Sequence, residues 1–229
     1  MEFLSQHWQT ILLYAPLGVI GIWRWVIWIT KKIIGFHYRG IENTGFDTTL
    51  SIVTPVYNED PRIFRSALES WKNNNPDELI AVIDYADKAC IEEFNKFART
   101  FDKAKLIITE KPGKRPALAA GVKAASGEII ALVDSDTIWD PNSRPAMLAP
   151  FADLTVGGVG TRQDVLETDT LARRIFNIHL DHRYFDEMPF LARAGDAVTC
   201  LSGRTALYRR EAILPVVDEM VAETFRGKQ

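Results

Sequence analysis

Two carboxylates directly follow an apolar run in the segment ALVDSDTIWD, residues 131–140. Residues 129–133 are apolar throughout and predict a buried strand. Asp134 and Asp136 come next, and a turn after Asp134 would bring both carboxylates toward one point. Two neighbouring anions repel each other unless a cation neutralises them. The pattern favours a hard divalent cation, Mg²⁺ or Mn²⁺, held by these carboxylates and by phosphates of a ligand; the alternative is a solvated strand end.

Three further predicted strands, residues 49–56, 78–84 and 105–109, also end in polar segments. The residues concerned are Pro55, Tyr57 and Glu59 after the first strand, Asp84 after the second, and Lys114 and Arg115 after the third. In open parallel sheets, ligands bind beyond the carboxyl ends of the strands. We therefore expect these side chains and the two aspartates to line one edge of a sheet.

The residue types at that edge suit a nucleoside diphosphate. Lys114 and Arg115 can neutralise a diphosphate. Tyr57 can stack on a base, and Asp84 can accept a hydrogen bond from a base N–H. Together with the two aspartates, they predict a nucleoside diphosphate site with a metal ion.

Apolar strands alternate with amphipathic helices over the first part of this region. The predicted helices cover residues 61–71, 87–99 and 117–125. Strands that are apolar throughout and alternate with helices indicate an α/β fold with a parallel sheet covered on both faces. The pattern is less regular further on: we predict strands over 156–165 and 197–203, a long helix over 171–188 and a closing helix over 209–220.

The N-terminal segment is different, because residues 11–29 contain a single charge, Arg24. About 19 residues of helix suffice to cross a bilayer. Trp8 precedes this segment, and Trp23, Trp25 and Trp28 lie near its end, as interfacial anchors do. We expect one membrane-spanning helix; a helix that lies flat on the membrane or is buried remains the alternative.

Basic residues follow this segment and none precedes it, with Lys31, Lys32 and Arg39 after it. The positive-inside rule then predicts an inner-membrane, single-pass chain with its C-terminal part in the cytoplasm. The expected organisation is a membrane anchor with its flank over residues 1–36, a connector over 37–48 and an α/β domain over 49–229.

Composition narrows the class of protein further. The chain of 229 residues is 47% hydrophobic and has a formal net charge of −3, which is typical of a globular protein. The slight acidity argues against nucleic acid as the main partner. Cys90 and Cys200 are far apart in sequence; two reduced thiols are expected, and a disulfide is the alternative.

Taken in order, the motifs VTPVYNEDP, the aspartate after the second strand, KPGKRPALAAG and VDSDT resemble those of family 2 glycosyltransferases. Within that family, the chain is most similar to the hyaluronan, chitin and cellulose synthase branch. The downstream segments ETDTLARRIFNIHLDHRYFDE and LSGRTALYRR extend the resemblance, which covers about residues 50–210.

The resemblance implies a GT-A fold, a nucleotide-sugar donor (usually UDP-linked), a divalent cation and transfer with inversion to a glycan acceptor. It assigns Pro55, Tyr57, Glu59 and Asp84 to the nucleoside, Lys114 to the donor phosphates, and Asp134 and Asp136 to the donor sugar and the metal. It also assigns Ser202, Gly203 and Arg204 to the acceptor side.

The chain departs from the family at its end, because neither the acidic G-D/E-D motif nor Q-x-x-R-W occurs. The resemblance places the general base in that acidic motif, so we expect the base to lie beyond Gln229 and the α/β domain to be C-terminally incomplete. Two alternatives follow: a non-processive transferase acting on a polyprenyl phosphate or lipid, and a catalytically incomplete fragment or subunit that binds the donor. A membrane-tethered interaction module is a weaker third.

Four other groups of residues carry weaker signals. His179 and His182 have metal-like spacing, but an ordinary helix surface is favoured. Arg173, Arg174 and Arg183 indicate a solvated helix face, with docking to an anionic lipid interface as the alternative. Gly157, Gly158 and Gly160 predict close backbone approach beside the donor. Asp164 and Glu167 belong either to the acceptor side or to a solvated loop.

Overall fold

In the computed structural model, which describes residues 2–41, 45–194, 198 and 200–222, strands and helices alternate along most of the chain. The strands are β1 (Leu50–Val56), β2 (Glu78–Asp84), β3 (Ala104–Thr109), β4 (Ile129–Val133), β5 (Gly158–Gly160) and β6 (Thr205–Arg209). The α-helices are α1 (Glu2–Phe36), α2 (Pro61–Lys72), α3 (Lys88–Ala98), α4 (Lys114–Ala124), α5 (Ser143–Leu148), α6 (Leu171–His182), α7 (Met188–Arg193), α8 (Arg210–Ile213) and α9 (Val217–Ala222). Short 3-10 helices cover Ala149–Ala152 and Leu214–Val216, and a π-helical turn covers Arg183–Glu187.

The six strands form one mixed, mostly parallel sheet in the order β3-β2-β1-β4-β6-β5. Strands β1 to β4 are mutually parallel, whereas β6 runs antiparallel to both β4 and β5. This arrangement confirms the predicted α/β class. The four parallel strands point their carboxyl ends to one edge, and that edge carries the polar segments singled out in the sequence.

Apolar side chains cover both faces of the sheet. On one face, α2, α3 and the 3-10 helix Ala149–Ala152 bury Trp71, Phe94 and Phe151 against the even-numbered residues of β1, such as Ile52. On the other face, α4, α8 and α9 pack on the odd-numbered Val53 and its neighbours. This alternation has a period of two residues, so each strand end points its successive side chains to opposite faces.

Side-chain caps fix where two of the helices begin. Asp60 precedes α2, and its carboxylate accepts the backbone N–H of Arg62. The Arg62 guanidinium also donates to this carboxylate and lowers the pKa of Asp60 to about 2. Asp87 caps α3 by accepting from the N–H of Cys90. Each cap lies three or four residues after a strand end, so the caps fix the loops at the carboxyl edge of the sheet.

Several elements in the second half of the chain differ from the sequence predictions; the closing helix, for example, is divided into α8, a 3-10 helix and α9. The strand predicted over 197–203 is wrong, since the described residues 200–204 lead into β6, which pairs along its whole length with β4 and buries Leu207; residues 197 and 199 lie outside the described residues. The long helix is interrupted by the π-helical turn. The glycine-rich strand is limited to the three residues of β5.

The contacts divide the chain into two compact units that do not follow the expected linear order. One unit contains residues 41–161 and 200–229, and it holds the whole sheet. The other contains residues 1–40 and 162–199, and in it α7 packs against the end of α1. The segment that includes α6 and α7 therefore groups with the N-terminal helix, whereas the sequence interpretation assigned it to the α/β domain.

Candidate functional site

A cavity of 540 Å³ lies at the carboxyl edge of the sheet. Its wall includes residues from the ends of β1, β2, β3 and β4 and from the first turn of α4. All seven residues that the sequence assigned to nucleotide-sugar binding line it: Pro55, Tyr57, Glu59, Asp84, Lys114, Asp134 and Asp136. Arg115 is exposed and is not among the lining residues. Four segments that are dispersed in sequence thus meet at one site.

Strand alternation explains why these particular residues share the cavity. Val53, Val82 and Leu132 belong to the core on the α4 face of the sheet. Pro55, Asp84 and Asp134 each come two residues later and therefore point to the same face. Helix α4 begins at Lys114, so beyond this residue it no longer covers its face of the sheet. The apolar core ends there and the cavity begins.

The two aspartates are held in a tight turn. The backbone N–H of Thr137 donates to the carbonyl of Asp134 at 3.1 Å, so the chain reverses immediately after β4. Asp134 is half-buried and Asp136 is exposed. Both line the same cavity, as the sequence predicted from a turn at this position.

Glu59 connects the end of β1 to this turn. Ser135, the residue between the two aspartates, donates its hydroxyl to Glu59 Oε2 at 2.9 Å. The other oxygen, Oε1, accepts the backbone N–H of Asp60 at 3.0 Å. The Glu59 carboxylate therefore supports the aspartate turn, a contact that the sequence did not indicate.

Two tryptophans anchor the chain that leaves the turn. Trp71 of α2 donates its indole N–H to the carbonyl of Thr137 at 2.9 Å. Trp139 donates its own indole N–H to the hydroxyl of Thr205 at 3.0 Å, inside the protein. Sequence reasoning missed both residues. The signal that could have found them is the pair of large aromatic residues next to polar motifs, since a buried indole N–H needs an acceptor.

Lys114 is the first residue of α4, three positions earlier than the helix predicted from the sequence. Gly113 precedes it with φ = 109°, a backbone conformation that glycine adopts without strain. The Lys114 ammonium forms an ion pair with Asp134 across the cavity. The Lys114 ammonium therefore lies beside the first aspartate, a contact that the sequence did not indicate, since it assigned Lys114 to the donor phosphates.

Asp84 is 8% exposed and ends β2. Its Oδ1 accepts the backbone N–H of Ala86 at 2.9 Å, which orients the carboxylate. Tyr57 is 75% exposed beside it on the cavity wall, so its ring is accessible to a planar ligand. A buried acceptor and an exposed aromatic ring are a suitable pair for recognising a base.

The residues predicted for the acceptor side lie next to the aspartate turn. The carbonyl of Arg204 accepts the backbone N–H of Asp134 at 3.2 Å. A Cβ atom placed on Gly203 would lie 3.7 Å from Lys114 Nζ. The segment with Ser202, Gly203 and Arg204 therefore borders the cavity edge where Lys114 and Asp134 meet.

The donor set at the turn fits a hard divalent cation. Among the described residues, no three His, Cys, Asp or Glu side chains form a group that could hold a metal ion. Two carboxylates on one cavity wall nevertheless supply oxygen ligands, and Mg²⁺ or Mn²⁺ commonly takes the remaining ligands from substrate phosphates and water. Asp134 and Asp136 would hold such an ion.

The weaker candidates on α6 and in the loop before it are not among the residues that line this cavity. His182 Nδ1 lies 2.9 Å from Asp186, which also pairs with Lys32. Burial raises the pKa of Asp186, but these two partners outweigh it, so its pKa is lowered. Asp164 pairs with Arg162, and Glu167 pairs with Arg173.

The glycine-rich segment has a packing role in this structure. A Cβ atom on Gly158 would lie 3.0 Å from Leu201 and 3.1 Å from Tyr208. The close approach predicted for these glycines is therefore to neighbouring side chains. Gly157, Gly158 and Gly160 are not among the residues that line the cavity.

Fold and site together define a class of protein: an α/β protein with a charged ligand cavity at the carboxyl edge of its sheet. A model described as "Glycosyltransferase like family 2" matches residues 48–226. The chain belongs to glycosyltransferase family 2.

Named relatives agree with this assignment. The chain is 31% identical over 220 residues to the NDP-glycosyltransferase ltbB of Aspergillus luteorubrus, covering 87% of this chain and 52% of the relative. It is 27% identical to an N-acetylglucosaminyltransferase of Rhizobium leguminosarum bv. viciae, over 96% of this chain and 55% of the relative. A hyaluronan synthase of Streptococcus pyogenes serotype M3 is also 27% identical, over 93% of this chain and 53% of the relative. The chain thus spans about half the length of the relatives it matches.

A solved structure supports the fold. The mannosyltransferase of Pyrobaculum calidifontis, determined in complex with GDP-Man and Mn²⁺, superimposes with a TM-score of 0.65 at 21% sequence identity. The match covers 90% of this chain and 56% of that one. This likeness confirms the GT-A fold that the resemblance implied.

Proposed function

We propose that this chain binds a nucleotide-sugar, in the first instance a UDP-sugar, together with Mg²⁺ or Mn²⁺, and transfers the sugar with inversion to a glycan acceptor. The observation that carries the proposal is the convergence of Tyr57, Asp84, Lys114, Asp134 and Asp136 on one 540 Å³ cavity. A cavity of this size suits a ligand of a few hundred daltons. Membership of glycosyltransferase family 2 indicates the class of reaction, which is the transfer of a sugar.

Each side chain has a role that follows from its position. Tyr57 and Asp84 face the base, and Pro55 shapes the wall between β1 and α4. Glu59 supports the aspartate turn through Ser135. Lys114, released from Asp134, donates to the diphosphate as negative charge develops on the leaving group. A divalent cation bound at Asp134 and Asp136 would supply Lewis-acid stabilisation of that charge.

Calorimetric titration with UDP in the presence of Mn²⁺ tests the site. We expect metal-dependent binding to the intact chain and a loss of that dependence in Asp134→Asn/Asp136→Asn. Asp140→Asn is the matched control, because Asp140 is exposed in the same segment and lies outside the cavity lining. Equal Mn²⁺-dependent binding in the double variant would contradict the metal assignment.

We further propose that α1 anchors the chain in the cell membrane. Among the described residues, one helix is long and apolar enough to cross a bilayer, over His7–Phe36. Lys31, Lys32 and Arg39 at its end support a topology with the remaining chain in the cytoplasm. A reporter fused after Gln229 should be active in the cytoplasm, and periplasmic activity would overturn this topology.

Two alternatives remain open for the reaction. The first is non-processive transfer to a polyprenyl phosphate or another lipid, which the membrane-type helix α1 favours. The second is donor binding without transfer. Incubation of the whole chain in vesicles with a radiolabelled UDP-sugar distinguishes them. Label in polymer supports the main proposal, label in the lipid fraction supports the first alternative, and donor binding without transfer supports the second.

A further inference from the structure

Thr109 is a polar residue of the cavity wall to which neither the sequence nor the proposed function assigns a role. It is the last residue of β3 and is half-buried. It lines the same 540 Å³ cavity as Tyr57 and Asp84. A small number of precisely placed polar groups gives such a cavity its specificity, and Thr109 is one of them.

The register of the sheet places Thr109 next to Asp84. In the parallel pairing of β2 with β3, Thr109 lies opposite Asp84, two residues beyond the pair of Val82 and Ile107. Val82 and Ile107 both pack in the core on the α4 face, so Asp84 and Thr109 point to that face as well. Neighbouring strands lie about 4.8 Å apart. The carboxylate and the hydroxyl therefore lie side by side, close enough to bind neighbouring atoms of one heterocyclic ring.

Local hydrogen bonds orient both side chains. Thr109 Oγ1 accepts the backbone N–H of Lys111 at 3.1 Å, and the carbonyl of Thr109 accepts the N–H of Tyr85 at 3.0 Å. Because the Lys111 N–H occupies one side of the Thr109 oxygen, the hydroxyl hydrogen points away from it. Asp84 Oδ1 accepts the N–H of Ala86 at 2.9 Å, and Oδ2 is the second acceptor of this carboxylate. The pair thus presents a donor beside an acceptor.

A donor beside an acceptor is complementary to some bases and not to others. In uracil and guanine, a ring N–H lies next to a carbonyl group, so the N–H can donate to Asp84 while the carbonyl accepts from Thr109. In cytosine and adenine, the ring nitrogen is an acceptor beside an amino group, and its lone pair would face the carboxylate. A buried acceptor that meets another acceptor remains unpaired, which disfavours binding of these bases.

We propose that Thr109 is a specificity-determining residue, whose hydroxyl donates to the base carbonyl next to the N–H that Asp84 accepts. The two side chains together select nucleotide-sugars with this edge, such as UDP-sugars, and reject CDP- and ADP-sugars. This role rests on the nucleotide-sugar binding proposed above and deepens it. Tyr57 can stack on any base, since every base has a π-face, so discrimination depends on the pair of Asp84 and Thr109.

Thr109→Val tests this role, because valine keeps the size and β-branching of the side chain and removes the hydroxyl. Titration calorimetry on the whole chain in detergent, with Mn²⁺ present, measures the affinities for UDP and for CDP. We expect UDP binding to weaken about 3- to 10-fold, since one neutral hydrogen bond is lost. CDP cannot use this hydrogen bond, so its affinity should not change and the preference for UDP should fall by the same factor.

Two further variants separate the hydroxyl from the packing of the side chain. Thr109→Ser keeps the hydroxyl and should bind UDP like the intact chain. Thr49→Val is the matched control, because Thr49 Oγ1 also accepts a backbone N–H, that of Glu128 at 2.9 Å, and Thr49 is not a lining residue of the cavity. Neither its UDP affinity nor its CDP affinity should change.

Three results would overturn the role of Thr109. The first is unchanged UDP affinity in Thr109→Val. The second is an equal loss for UDP and CDP, which would indicate a general disturbance of the cavity. The third is the same loss of UDP affinity in Thr109→Ser, which would show that the hydroxyl is not the source of the effect.

The intact chain separates this role from the proposed function. Mn²⁺-dependent UDP binding by the intact chain, combined with any of these three results, removes the role of Thr109 and leaves nucleotide binding in place. Absence of UDP binding by the intact chain removes both.

Discussion

At the scale of single residues, the central feature is the pair of Lys114 and Asp134. The two side chains form an ion pair. In the proposed function they separate, because Asp134 then faces a cation and Lys114 faces a phosphate. The ion pair of Lys114 with Asp134 therefore competes with both binding events, which has a measurable consequence.

Lys114→Met should change the affinities for UDP and for Mn²⁺ in opposite directions. Loss of one charge-assisted hydrogen bond should weaken UDP binding roughly 10- to 100-fold. Mn²⁺ alone should bind more tightly, because Asp134 no longer has a competing ammonium. Titration calorimetry measures both.

Lys123→Met is the matched control for this prediction. Lys123 lies on the same helix, is exposed and pairs with Asp218 instead of a cavity residue. Unchanged UDP affinity in Lys114→Met, or the same loss in Lys123→Met, would contradict the role proposed for Lys114.

At the scale of elements, the position of Lys114 depends on how closely α4 packs against the sheet. Gly121 makes this packing possible. A Cβ atom there would lie 2.3 Å from Val53 Cγ1 and 3.2 Å from Val82 Cγ2. Both neighbours are fully buried, so neither can move without disturbing the core.

Gly121→Ala should therefore destabilise the chain by about 1–3 kcal/mol, even though alanine is the better helix former. Urea denaturation in detergent measures the change in the free energy of unfolding. Gly157→Ala is the control, because its Cβ would approach its nearest neighbour only to 3.9 Å, and we expect a change within about 0.5 kcal/mol. If Gly121→Ala increased the free energy of unfolding, close packing of α4 on the sheet would not depend on this glycine.

At the scale of the whole molecule, Glu78 connects the amino ends of the parallel strands, opposite the cavity. It is 4% exposed and begins β2. Its carboxylate accepts from the Ser51 hydroxyl of β1 at 2.6 Å and from the backbone N–H of Ser126 at 2.9 Å. It also pairs with Lys105 of β3. Burial raises the pKa of Glu78, but these partners outweigh it, so the pKa is lowered overall.

Glu78→Gln should destabilise the chain by about 2–3 kcal/mol at neutral pH, since charged hydrogen bonds are lost. A carboxyl group with a lowered pKa contributes its stability above its unfolded pKa, near 4.5, and loses it as the pH falls through the folded value. The difference between the two proteins should thus shrink below about pH 4.5. Urea denaturation across pH 3–8, with Glu92→Gln as the exposed control, checks this. If the difference in the free energy of unfolding did not change with pH, the charge of Glu78 would not be the source of the stabilisation.

The sequence by itself determined the α/β class, the parallel direction of β1 to β4 and which residues follow the strand ends at the edge of the sheet. These features follow from local signals, because an apolar strand and the polar residue at its end are neighbours in the chain. The prediction that Asp136 lies beside Asp134 depended only on a turn between them, which is also a local feature of the chain.

Only the tertiary structure decided the contacts between distant segments. The bonds of Glu59 to Ser135 and of Trp139 to Thr205 join residues 76 and 66 positions apart. The antiparallel pairing of β6 and the grouping of residues 162–199 with α1 also depend on packing that no local pattern encodes. Hydrophobic periodicity shows which face of an element is apolar; which neighbour covers that face depends on the whole fold.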